Sequence, residues 1–184
     1  MKKDYLWIDT ETTNTNPKTG AIIEIGAICN GDEFHSLVKP HQGAIVSQEA
    51  LDINGLTMSQ LNNAPDHKSV VDQLCEFMEK SVNRYDKTDK LVMAGFNIKF
   101  DDDFLRAMFK RSGNSFLGAY RWPTLYDVQT KAIEYLQIER GNMADFKLET
   151  VAIQMGIDIT KLKLHTALDD IKLTSEIDRL ICLG

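Results

Sequence analysis

The chain has 184 residues, 43% hydrophobic and 26% charged, a size and balance that suit one globular domain over residues 1–184 with a real core. Its longest apolar runs are too short for a bilayer, and its first five residues carry no apolar leader. A net charge of −6 argues against long-range capture of a polyanion, though not against a nuclease that holds a short stretch of nucleic acid through metal ions and local Lys and Arg.

Cys29, Cys75 and Cys182 are odd in number and scattered. They form neither a zinc spacing nor a disulfide framework and read as reduced, buried residues of a cytoplasmic protein.

The chain opens with the apolar run Tyr5-Leu6-Trp7-Ile8, read as a buried strand ending in Asp9-Thr10-Glu11-Thr12. Residues i and i+2 of a strand share a face, so Asp9 and Glu11 project together. Two like charges so placed repel and lose hydration. A hard divalent cation that takes carboxylate oxygens is the simplest remedy. Residues 14–20 are a turn on residue type. Ala21–Cys29 and Phe34–Val38 read as strands, and the short connections imply an antiparallel meander.

From residue 70 the period changes. Val70, Val71, Leu74, Cys75, Phe77, Met78 and Val82 follow a helical stripe. Leu91–Ala94 is a short buried strand, Phe104–Phe109 lies in a helix, and Thr124–Val128 is a last short strand. Leu148–Met155 and Leu168–Ile181 are helical. A meander followed by βαβ units gives an α/β domain with a mixed sheet flanked by helices.

Two further acidic clusters fall at predicted element ends. In Asn97-Ile98-Lys99-Phe100-Asp101-Asp102-Asp103, Asp102 and Asp103 suit a helix N-terminus. Asp101 sits at a strand-to-helix corner, where ligand sites collect in α/β sheets. In His165-Thr166-Ala167-Leu168-Asp169-Asp170, Thr166 and Asp169 resemble a capping box. Asp170 lies about 100° around the helix from Asp169, so at most one of them joins a metal site. His165 then precedes the helix and is free to enter a cleft. His35, His41 and His67 read as surface residues. Phe96, Phe100 and Trp122 are candidate stacking aromatics, though aromatics at such positions more often pack in a core.

These three motifs, in this order, resemble those of the DEDDh, or DnaQ-like, 3′–5′ exonucleases, which include the proofreading subunit of bacterial replicases and RNase T. Ile22-Ile23-Glu24-Ile25-Gly26-Ala27 and Ala50-Leu51-Asp52-Ile53-Asn54-Gly55-Leu56-Thr57 resemble the family's second strand and its helix near the substrate. The resemblance implies an RNase H-like, five-stranded mixed sheet, with Asp9, Glu11, Asp101 and Asp170 as metal-binding carboxylates and His165 as general base. It implies two Mg²⁺ or Mn²⁺ ions, roughly 3.5–4 Å apart. The implied reaction shortens single-stranded DNA or RNA from its 3′ end and releases nucleoside 5′-monophosphates. Thr10, Thr12, Asn97 and Phe100 are the expected substrate contacts. Phe96 stands where relatives commonly carry His. A nucleic-acid-binding or polymerase-partner module with a vestigial site, and a metal-dependent phosphatase of small nucleotides, are the rival readings; metal-dependent turnover of oligonucleotides separates them. A homodimer or polymerase partner is left open.

Overall fold

The computed structural model describes residues 5–160 and 165–184. Residues 1–4, used above to argue against a leader, lie outside that range. In chain order the elements are β1 (Leu6–Thr12), β2 (Ile22–Cys29), β3 (Asp32–Leu37), α1 (Gln48–Asn54), α2 (Met58–Asn63), α3 (His67–Glu79), β4 (Leu91–Gly95), α4 (Ile98–Arg111), α5 (Leu117–Tyr120), β5 (Arg121–Asp127), α6 (Val128–Tyr135), a 3₁₀ turn (Glu139–Asn142), α7 (Leu148–Gln154) and α8 (Ala167–Leu183).

The five strands form one sheet in the order β3-β2-β1-β4-β5. β1, β2 and β3 pair antiparallel, while β1, β4 and β5 pair parallel. This is the expected meander plus crossovers. Alternation along β1 divides the domain. Leu6 and Ile8 pack into a core with α3 and α4, whereas Trp7 packs with α6, α7 and α8 on the other face. α3 buries the predicted stripe from Val70 to Met78, and Asp66 caps it by accepting from the Ser69 N–H at 2.9 Å.

β1 ends in a way that builds the site. Asp9 and Glu11 lie in its last residues, as expected of a strand that ends in paired carboxylates. β1 keeps its ladder with β2 as far as Thr12, opposite Ile22, while its last pair with β4 is Trp7 with Ala94. The end of β1 therefore projects beyond β4 and leaves a notch in the sheet. Gly95 lets β4 run close here, since a Cβ would lie 2.8 Å from the Ile8 carbonyl oxygen.

Three smaller expectations are corrected. Thr166 is the N-cap of α8 by backbone, but its side chain makes no capping hydrogen bond, so the box with Asp169 does not form. The Ala167 N–H is accepted instead by the buried carboxylate of Glu24 at 3.2 Å. Asp102 is not a solvated helix-end acid: it is buried and ion-paired with Arg121 and with Arg106, the latter at 2.8 Å. Cys182 is exposed, unlike Cys29 and Cys75. α1, α2, α5 and α6 are too short or too interrupted to show a clear period in the sequence.

Candidate active site

The notch at the end of β1 is filled from three directions. Asp9 and Glu11 share the β1 face that carries Trp7, toward α8, by strand alternation. Thr10 points the other way, toward α4. Its N–H, past the end of β4, donates to Asp101 Oδ1 at 2.9 Å, and its hydroxyl donates to the same oxygen at 2.7 Å. Thr10 thus substitutes a carboxylate for the missing strand partner and fixes Asp101 against β1. Asp101 reaches this point from the first turns of α4, whose N-cap Asn97 adopts φ 56° with its N–H bonded to Asp127 Oδ1 at 3.0 Å.

The fourth carboxylate, Asp170, is brought in by α8. That helix sits on Gly26, where a Cβ would meet Ala167 backbone and side chain at 3.0 Å. Gly26 is the β2 partner of Asp9, so bare backbone at this position lets α8 approach the acids. Glu24, the β2 partner of Glu11, holds the same helix end through Ala167 and also lies 3.0 Å from His35 Nε2. His35 is therefore a partner of a buried carboxylate rather than a bare surface residue.

His165 precedes α8 at φ 62°, a left-handed conformation in which His is enriched among non-glycine residues. Ligand atoms of Glu11, His165 and Asp170 lie within 4.8 Å of one another. The resulting cleft, of about 490 Å³, is lined by the four carboxylates and His165, and by Thr10, Ile53, Phe96, Phe100, Lys147, Leu148 and Glu149. All five expected catalytic side chains converge in it. Of the expected substrate contacts, Thr10 and Phe100 line it; Thr12 and Asn97 do not. The Thr12 hydroxyl donates to the Asn14 carbonyl at 2.9 Å. Phe96 and Phe100 border the cleft, whereas Trp122 lies elsewhere on the surface, beneath Lys90.

The electrostatics are those of carboxylates awaiting positive charge. Burial, then the charges of Asp101, Glu11 and Asp170, push Asp9 well above the usual carboxylate range. Burial and the neighbouring acids Asp170 and Glu24 raise Glu11 to about 8. Burial raises Asp101 to about 7, against the Thr10 hydrogen bonds that lower it. Burial raises Asp170 to about 6, opposed by His165. Asp170 Oδ1 is also buried without a hydrogen-bond partner among the described residues. An orphaned buried oxygen among four mutually repelling carboxylates fits divalent-cation ligation by oxygen donors.

Lys147 and Glu149 line the cleft without having been marked in the sequence, while Ile53 and Glu24 had been quoted in motifs without an individual role. Ile53 and Leu148 carry a weak signal, an apolar residue near a helix end. Lys147 and Glu149 carry none.

A family model described as RNase T exonuclease matches residues 6–177. A PolC-type DNA polymerase III from Thermotoga petrophila is 28% identical over 178 residues, covering 94% of this chain and 11% of that protein. Ribonuclease T from Vibrio campbellii is 24% identical over 182 residues, covering 92% of this chain and 81% of the relative. The chain thus spans about a tenth of the PolC-type polymerase. E. coli Exonuclease I in complex with a dT13 oligonucleotide superposes with a TM-score of 0.76 at 20% identity, over 96% of this chain and 40% of that one, which supports the RNase H-like fold.

Proposed function

The chain belongs to the RNase T exonuclease family, and we propose that it hydrolyses single-stranded DNA or RNA from the 3′ end, releasing nucleoside 5′-monophosphates with the help of two divalent cations. The observation that carries this reading is the convergence of Asp9, Glu11, Asp101 and Asp170 with His165 in one cleft, where burial and mutual repulsion disfavour the charged carboxylates. We read all 184 residues as one exonuclease domain.

Asp9, Glu11, Asp101 and Asp170 would hold Mg²⁺ or Mn²⁺. When bound, such ions polarise the phosphoryl group and stabilise the attacking and leaving oxygens of an in-line displacement. The chain's own residues do the rest. His165, neutral, accepts a proton from the attacking water, a contribution of about 10²–10⁴-fold in rate. Thr10 keeps Asp101 oriented through two hydrogen bonds to one oxygen. Ile53, Phe96, Phe100 and Leu148 give the cleft an apolar wall that suits the face of a terminal base, since base stacking tolerates any sequence.

The PolC-type relatives make association with a polymerase one setting for this activity; Ribonuclease T makes free-standing action another. The test is incubation with 5′-labelled single-stranded DNA and RNA of one sequence, with Mn²⁺ or chelator, beside Asp9→Ala. A Mn²⁺-dependent ladder shortening from the 3′ end, absent in the variant, is the expected result. Intact oligonucleotide with folded protein would overturn it, and turnover of mononucleotides alone would replace it with a phosphatase.

A further inference from the structure

Glu149 has no part in the four-carboxylate set, yet it faces the group proposed to move the proton. It lies in the first turn of α7, after the N-cap Lys147, and lines the same cleft. Its Oε1 is 3.4 Å from His165 Nε2, with both side chains about half exposed. The imidazole also lies near Glu11 and Asp170, with ligand atoms of the three residues within 4.8 Å of one another. His165 stands on a left-handed corner outside any helix or strand, so regular backbone structure does little to fix its ring.

We propose that Glu149 is a positioning residue for His165, holding one ring nitrogen so that the other faces the water to be deprotonated. This rests on the general-base reading of His165 above. A base oriented by a third group recurs wherever a side chain must take a proton at a fixed point. Each imidazole nitrogen has one role, and the hydrogen bond of one sets the tautomer of the other. When His165 takes the proton, the cation forms beside the Glu149 carboxylate, which offsets its charge. A pair this exposed adds little to stability, so its effect belongs in turnover. The bland reading is that Glu149 is only a favourable first-turn acid of α7. That reading gives it no connection to His165.

The test is a double-mutant cycle with a ring measurement that needs no activity. Glu149→Ala should lower kcat by about 10–100-fold, the range for groups that orient a ligand or base, with KM changed by less than about threefold. In a His165→Ala background the same substitution should change kcat little, because the residue it serves is gone. Glu149→Gln keeps an acceptor oxygen without the charge and should restore part of the loss. In metal-free protein, NMR relaxation of the His165 ring should show lost order in Glu149→Ala and recovery in Glu149→Gln. Equal losses in both backgrounds, no loss at all, or unchanged ring order would each overturn the proposal. A fully active His165→Ala would instead overturn the general-base reading, and the ring measurement would still report on Glu149.

Discussion

Asp101 and Asp102 are adjacent, equally buried at 3% exposure, and opposite in fate. Asp102 turns toward Arg121 and Arg106 and is neutralised within the protein. Asp101 turns toward Asp9, Glu11 and Asp170, and burial raises its proton affinity despite the hydrogen bonds it accepts from Thr10. The lesson is that burial of a carboxylate does not define its job; what faces it does. One pair is internally balanced and structural. The other cluster has no such internal balance, and on the proposed function an external cation would supply it.

This contrast can be broken from either side. Removing a partner from a buried ion pair leaves an uncompensated charge, so Asp102→Ala, which strands Arg121, should destabilise the fold by about 3–5 kcal/mol, read by denaturant unfolding. Asp101→Asn should do the reverse in metal-free buffer, raising Tm while eliminating Mn²⁺-dependent activity. A lower Tm for Asp101→Asn would show that the cluster is not strained.

Ligand binding to the folded state should show the same deficit. Mn²⁺ at a hundredfold over its Kd stabilises by about 2.7 kcal/mol, or about 5–10 °C for a chain of this size. A Tm unmoved by millimolar Mn²⁺ would count against a preformed site.

pH should reproduce part of this effect without metal. Glu11 titrates at about 8 in the fold against an ordinary 4.5, and Asp101 and Asp170 shift the same way. Between those values the folded state binds more protons than the unfolded one, so stability falls as pH rises. In chelator, Tm should drop from pH 5 to pH 8, and Glu11→Gln should flatten the profile.

The smallest effect sharpens the α8 boundary. Asp169→Ala should change stability by less than about 0.5 kcal/mol, as surface changes usually do, since no capping box is present to lose. A loss near 1 kcal/mol, the usual value of a cap, would restore the box in solution.

The parts of the site that were legible are those carried by local period. The i, i+2 spacing of Asp9 and Glu11 and the strand-to-helix corner at Asp101 need only a strand and its end. Asp170 could be told from Asp169 only as one of two, because the choice depends on which side of α8 meets β2. What stayed hidden depends on long-range register. Glu24 faces Glu11 only through β1–β2 pairing, Arg121 reaches Asp102 only through β5, and Glu149 meets His165 from a separate helix. Thr10 shows the same limit: the family resemblance implied a substrate contact, while its support of Asp101 depends on the early end of β4. The meander and the crossovers were legible from apolar strands, short connections and one strong helical stripe, but the pairing of β1 with β4 was not. Helices of four to eight residues show too few turns for their period to register.

The overhang of β1 also bears on how errors in folding would be expressed. Its side chains alternate, so a slip of one residue against β2 would carry Asp9 and Glu11 to the α4 face and present Thr10 to α8. It would also move Gly26 away from its place opposite Asp9 and set a bulkier β2 residue there. A chain so misassembled would have turned two of its proposed cation ligands away from Asp170 on α8. On the proposed function, such a chain would be inert rather than altered in its preference for nucleic acid.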